Sequence, residues 1–412
     1  MVPRILGLGS GIIVARILGK EGFGEFGIIQ STLGMFGIFA GFSAGVTATK
    51  YIAEFRNKDR QRAGQILSLC IIVAILTGFL MTIVLMILGP WLCSYTLAAP
   101  HLKGALRLSA LTLLLGAVTG CETGILAGFE AFKSIARINV ITGVLSFPIM
   151  IACVYLGGLY GAFLGLIVIN LIGLLLNHLA LHAEIKGSGM SMGFKDCYKE
   201  WPILLKFSLP TVLSTLVVVP INWACTAMLV NQPNGYAEMG IFNAANQWFM
   251  ALLLLPIVMG QTVLPILSER LAVGDKVSCT KILSFSIKIN SFVIMPLVLI
   301  GCVTSQFIMR FYGTSFADSW PTLIVVLLTG GLLAIQTPVG HIIAASGRMW
   351  IGWLMNSGWA LVFLGLNTIL IKEGALGLAL ARGGAYAIHA IWTFAYAYLV
   401  IQKSKGNFLN NV

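Results

Sequence analysis

Apolar runs of eighteen or more residues recur from one end of this chain to the other. Each is long enough to cross a hydrocarbon core of about 30 Å. Inside such a core no water is available to the backbone, so every N–H and C=O must find a partner within the protein. Alternating polar and apolar residues at barrel spacing are absent, which leaves helices. The charge content agrees, since Asp, Glu, Lys and Arg make up 10% of the 412 residues, against roughly 25% in a soluble domain. The fold class is therefore all-α and polytopic, with about twelve transmembrane helices. The spans lie near 5–18, 24–48, 65–88, 105–128, 138–157 and 159–181, then 207–230, 239–262, 282–305, 321–345, 350–371 and 376–401.

The second half echoes the first. EGFGEFGIIQ at Glu21 to Gln30 returns as NGYAEMGIFN at Asn234 to Asn243. YIAE at Tyr51 to Glu54 returns as ILSE at Ile266 to Glu269. Gly158, Gly161 and Gly165 precede Gly374, Gly377 and Ala381 by one common offset, and Gly124 precedes Gly340 by the same step. A period of half a chain marks a tandem duplication. Six spans per copy is even, so the copies share one orientation as parallel repeats. The expected division is a six-helix bundle at 1–181, a cytoplasmic linker at 182–206, a second bundle at 207–402 and a tail at 403–412. The first span is short, so either the start codon is misassigned or this copy has lost its first turns.

Orientation follows from the basic residues, which collect on the cytoplasmic side of short loops. Arg56, Lys58, Arg60 and Arg62 fall in one loop, Lys133 and Arg137 in another, and Lys186, Lys195 and Lys199 in the junction. Both termini are then cytoplasmic. The net charge of +12 reflects this distribution and does not point to nucleic acid. Eight cysteines stand singly, without metal-ligand spacing, so neither a metal site nor a disulfide framework is expected. No Walker A loop, HExxH, GxSxG or paired-carboxylate arrangement occurs, and no cofactor is expected.

Ionisable residues inside spans are candidate functional groups, weighed against side chains that snorkel from span ends. Arg107 and Lys288 fit snorkelling or structural roles. Arg16 stands between interface anchor and cavity charge. Arg382 lies well inside its span without an acidic partner there, and His389 falls near the centre of the same span. Glu122, the one in-span acid, is a candidate for coupling or for an ion pair with one of these cations. The seventh span carries Ser208, Thr211, Ser214, Thr215 and Asn222 on one face, and the eighth carries Asn243, Asn246, Gln247 and Gln261. Single residues of this kind serve interhelical hydrogen bonds, while a whole stripe suits a hydrated cavity that binds sugar hydroxyls.

RILGKEGFGEFGIIQSTLG (Arg16 to Gly34), TKYIAEFRNKD (Thr49 to Asp59) and the long block from Phe207 to Glu269, which includes FNAANQW, resemble the polysaccharide transporter family. That family holds the O-antigen (Wzx-type) flippases of the multidrug/oligosaccharidyl-lipid/polysaccharide exporter superfamily. The resemblance implies two six-helix bundles around a central cavity. It also implies translocation of an undecaprenyl-pyrophosphate-linked oligosaccharide from the cytoplasmic to the periplasmic leaflet of the bacterial inner membrane. Arg16 and Lys50 are then the expected cavity charges, with Asn222, Asn243 and Gln247 beside them. Asn246, Arg382 and His389 join the substrate-binding set on the stripe and burial arguments above. The expected partners are the lipid-linked oligosaccharide and membrane lipids, with H⁺ or Na⁺ as candidate coupling ion and glycan polymerase machinery as a candidate neighbour. Two other readings stay open: a cation-coupled drug or metabolite antiporter of the same superfamily, and a membrane enzyme of glycan assembly.

Overall fold

The computed structural model describes residues 2–208, 212, 216–346 and 349–403. Among these residues every regular element is helical. The chain runs through α1 (Val2–Gly37), α2 (Ala44–Phe55), α3 (Arg60–Trp91), α4 (Lys103–Gly128), α5 (Phe132–Ser188) and α6 (Val218–Val230). It continues through α7 (Gly235–Leu252), α8 (Leu254–Val273), α9 (Lys276–Val303), α10 (Ser305–Tyr312), α11 (Trp320–Ala345), α12 (Met349–Leu370) and α13 (Gly374–Lys403). Seven helical stretches among the described residues are long and apolar enough to cross a membrane, and the longest is α5 with 57 residues. A crossing needs about 20 residues, so α5 holds two.

Gly158 supplies the reversal inside α5, at φ 53° and ψ −131°, a conformation that costs an L-residue but not glycine. The two arms then pack so closely that a side chain on Gly161 would collide with the Cys153 carbonyl. The second copy repeats the device: Gly374 has φ 64°, and a side chain on Gly377 would collide with the Leu370 carbonyl. The glycine register that revealed the duplication thus marks one helical hairpin built twice. Gly19, at φ 71° and ψ −178°, similarly divides α1 into its first and second spans.

The second span departs from the sequence expectation. Instead of one helix through 24–48, it stops at Gly37 and resumes at Ala44. Gly41, Phe42 and Ser43 lie between, all left-handed, at φ 84°, 45° and 53°. The eighth span also breaks, more gently, at Leu253 between α7 and α8. There the cause is visible in the sequence: Pro256 has no N–H to offer the Leu252 carbonyl, and its ring crowds that carbonyl.

Contacts divide the chain into two compact units, Met1–Asn231 and Gln232–Val412. By register, α6 opens the second copy, yet it packs in the first unit. There Trp223 Nε1 donates to Thr32 Oγ1 of α1 at 3.0 Å. The seam of the repeat and the boundary of the packed unit therefore differ by one span. The segment expected as a linker is also packed: α5 extends to Ser188, and Gly193 N donates to the Gly64 carbonyl. Glu200 accepts from Arg62 Nε at 2.8 Å and Nη2 at 3.0 Å.

Within the first unit, α2 lies on α4 with small residues between them. A Cβ on Gly45 would stand 2.5 Å from the Gly120 carbonyl oxygen, and one on Gly124 would collide with Gly45 itself. Small residues let helix backbones approach where lipid gives no hydrophobic drive to associate. Gly161→Ala and Gly377→Ala are each expected to destabilise the chain by about 1–3 kcal/mol through overpacking. Gly157→Ala, which meets nothing within 4 Å, should be neutral. Thermal unfolding of the purified full chain in detergent separates the three.

The α9 start makes a pH-dependent contribution. Ser278 donates its backbone N–H to Asp275 Oδ1 at 3.0 Å, and hydrogen bonds from Ser278 hold the Asp275 carboxyl below its ordinary pKa. A depressed pKa means that the stabilisation is present above the ordinary carboxylate value and is lost as pH falls through the lowered one. Asp275→Asn should flatten the melting-temperature profile across that acid window and leave neutral pH little changed.

Candidate functional site

The interruption at 38–43 borders two clefts of the first unit. Its freed backbone is answered from the next helix: Gly41 N donates to Thr77 Oγ1 at 3.0 Å, and Thr77 in turn donates to Val73 O at 2.7 Å. One cleft, of about 370 Å³, lies beside the α1 arm and is lined by Gln30, Gly37, Thr112 and Asn170 among others. A second, of about 620 Å³, lies beside α2 and is lined by Ser43, Thr49, Lys50, Gly120 and Thr123 among others. The two share Ala40, Gly116 and Ala117, so they form one trough along the broken span. Amides sit at one end and an ammonium at the other. The volumes fall in the range of about 300–1,000 Å³ typical of small-molecule sites.

Lys50 is exposed on α2, with Nζ 4.9 Å from the centroid of the Tyr51 ring. It stands in the middle turn of that short helix. Arg16 is exposed on α1, three residues before the Gly19 break. Asn222 is half-buried and folds back on its own helix, donating to Val218 O at 2.7 Å. Of the seventh-span stripe, Ser208 bonds the Thr47 hydroxyl at 2.7 Å, while Thr211, Ser214 and Thr215 lie outside the described residues.

The second unit holds a different chemistry. Asn246 Oδ1 on α7 accepts from Arg382 Nη1 on α13 at 2.8 Å. The guanidinium lies 4.8 and 4.3 Å from the ring centroids of Phe242 and Phe249. Arg382 is only 5% exposed, and its Nε and Nη2 have no hydrogen-bond partner among the described residues. Cation–π attraction partly replaces the missing counter-charge. Gln247 Oε1 accepts from the Tyr312 hydroxyl at 3.2 Å, and that hydroxyl oxygen accepts from Trp248 Nε1 at 3.1 Å. His389 Nδ1 accepts from Gln336 Nε2 of α11. Asn243 is half-buried, and the Gln261 side chain lies outside the described residues.

On the eighth-span face, Asn246 and Gln247 are thus engaged inside their own unit. Glu122 finds its partner elsewhere than in the in-span cations: Oε1 lies 3.0 Å from His178 Nδ1 on α5. Sequence reading passed over Gln30, Thr112 and Asn170 as cleft residues, and over Thr77 and His178. The GFSAG run at Gly41 to Gly45 was the available signal for the break.

The buried cation generates a stability prediction. Asn246→Ala withdraws the acceptor of a charged, desolvated donor and is expected to cost about 1.5–3 kcal/mol. Arg382→Met removes the charge and keeps an apolar body between the two rings, so it should be milder. Thermal unfolding of the two variants gives the order.

Comparison with known proteins follows this geometry. The chain is 23% identical over 393 residues to the EPS I polysaccharide export inner membrane protein EpsE of Ralstonia solanacearum, covering 92% of this chain and 86% of that one. It is 24% identical over 395 residues to a Shigella flexneri protein named for O-antigen transport, covering 92% and 90%. Among solved structures, a multidrug resistance MATE family transporter of the MOP superfamily superposes with a TM-score of 0.87 at 16% identity, covering 98% of this chain and 95% of that one. The lipid II flippase MurJ superposes with a TM-score of 0.74 at 17% identity, covering 98% and 88%. These structural matches fix the fold as that of an all-α, multi-pass membrane protein. A family model described as polysaccharide biosynthesis protein matches residues 1–271, well over half of the chain, and the chain belongs to that family.

Proposed function

We propose that this protein is a flippase that moves an undecaprenyl-pyrophosphate-linked oligosaccharide from the cytoplasmic to the periplasmic leaflet of a bacterial inner membrane, by alternating access and with both termini cytoplasmic. The observation that carries the reading is the trough along the broken second span, with Gln30, Thr112 and Asn170 at one end and Thr49 and Lys50 at the other. Amides and hydroxyls match sugar hydroxyls, and the Lys50 ammonium matches a pyrophosphate. The polyprenyl tail needs no protein pocket, because it stays in the bilayer. The names of the Ralstonia and Shigella relatives, for polysaccharide export and O-antigen transport, support the same cargo class.

In this reading Lys50 holds the pyrophosphate, Arg16 is a second cation on the cargo's path, and Asn222 and Asn243 are sugar contacts. Arg382, Asn246, Gln247 and His389 act through their side-chain bonds, by holding α7 against α13 and α10, and α13 against α11. The transport cycle would then be driven by an ion gradient, with glycan polymerase machinery receiving the product.

Complementation of a strain that lacks its O-antigen or exopolysaccharide flippase tests the proposal, scored by glycan display at the cell surface. The native chain is expected to restore display, Lys50→Ala to lower it severalfold and Lys50→Arg to retain most of it. Absence of rescue across such strains, together with raised resistance to cationic drugs, would replace the flippase with an antiporter. Wild-type display by Lys50→Ala combined with Arg16→Ala would remove the charged-trough mechanism and leave the cargo class standing.

A further inference from the structure

Two charged side chains are buried among the described residues, Glu122 in the first unit and Arg382 in the second. Arg382 cannot release its proton at any physiological pH. Glu122 can. Its side chain is 3% exposed, while that of His178 opposite is 59% exposed. Oε1 faces His178 Nδ1 at 3.0 Å, and Oε2 is buried without a hydrogen-bond partner. A carboxylate in such a wall is poorly solvated on one oxygen, and protonation relieves that cost. His178 stands between Glu122 and the exterior of the unit, and its two ring nitrogens can relay a proton. His182, one helical turn further towards the Arg60 end, is exposed as well.

Among the described residues, no ionisable side chain besides His178 pairs with the carboxylate. From α3 comes Cys70, in one apolar cluster with Cys121. From α1 comes Gln30, across the trough. From α2 come Thr49 and Lys50, on the trough wall formed with Gly120 and Thr123. This last contact gives the pair a mechanical output. Thr49 Oγ1 donates to Gly124 O at 2.8 Å, two residues past Glu122, and also to Gly45 O at 2.9 Å. With Gly45 pressed on Gly120 and Gly124, a displacement of that turn of α4 is carried to the helix that bears Lys50.

We propose that Glu122 and His178 form the proton-binding site that couples transport to a proton gradient. The inference rests on the flippase reading for its biological output. A proton from water enters at His178 Nε2, and the Nδ1 proton passes to Glu122 Oε1. The imidazole returns to neutrality as its other tautomer, and the net transfer is one proton from solvent to the carboxyl. With Glu122 neutral, the α4 wall closes on α2. With Glu122 ionised, Oε2 requires a donor or water, and the wall must loosen beside Lys50. Loading the proton and releasing an anionic headgroup are thereby linked through one helix pair.

The test uses the full chain in lipid nanodiscs, followed by infrared difference spectroscopy during a pH titration. A buried carboxyl signal is expected to grow on acidification, to vanish in Glu122→Gln and to shift its midpoint in His178→Ala. Gln can still bond His178 and fills the same volume, so unchanged thermal unfolding accompanies the loss. The same variant, expressed in the complemented strain, should lower glycan display severalfold, with partial recovery in Glu122→Asp. A titration identical in Glu122→Gln and the native chain would overturn the site. Full display by Glu122→Gln would overturn the coupling and leave a structural pair. Failure of the native chain to restore display, with the infrared titration intact, would instead count against the flippase reading.

Discussion

The backbone's demand for internal partners governs this molecule. Most of the chain meets it by being helical, so the places where it is not helical need an answer from elsewhere. At Gly41 that answer is the hydroxyl of Thr77, reached across to α3. Two left-handed residues that are not glycine, Phe42 and Ser43, add strain of roughly 1–2 kcal/mol each. The surrounding packing therefore has to hold the break in place. Gly45 does this by lying against Gly120 and Gly124 on α4. The open trough beside the break is the other side of the same geometry, since a helix that stops and restarts leaves space that an unbroken one would fill.

The buried charges follow a related logic. Neither Glu122 nor Arg382 has a strong fixed counter-ion among the described residues. Glu122 has an imidazole, and Arg382 has an amide and two aromatic faces. A strong ion pair would hold each helix interface in one state. Weaker partners hold the interfaces together while keeping the electrostatic cost of rearrangement small, which suits the alternating-access cycle proposed above.

Much of the architecture was legible in the sequence because membrane constraints are severe and local. Run lengths fixed the helical class, and the Gly158 and Gly374 register located two equivalent hairpins that the backbone angles bear out. What escaped was tertiary. Helical spacing placed Asn246 and Gln247 on one face, but spacing cannot say that Arg382 and Tyr312 arrive there from α13 and α10. Glu122 stood out as an in-span acid, yet its partner was sought among permanent cations, whereas His178 lay in an apolar run with nothing local to single it out. No proline marks the break in the second span, in contrast to Pro256 in the eighth, and the GFSAG run at Gly41 to Gly45 is a weaker signal.

The Arg382 contact also bears on how the chain is made. Arg382 lies eight residues into α13, about 12 Å along the helix axis, and an arginine near mid-membrane opposes insertion of a span by about 2.5–3.5 kcal/mol. Its shelter is supplied by Phe242, Asn246 and Phe249 on α7, which leave the ribosome more than a hundred residues earlier. The span that carries Arg382 is therefore received by a docking face made earlier in the chain. Assembly of the second unit acquires a direction, in which α7 acts as a chaperone built into the chain for α13.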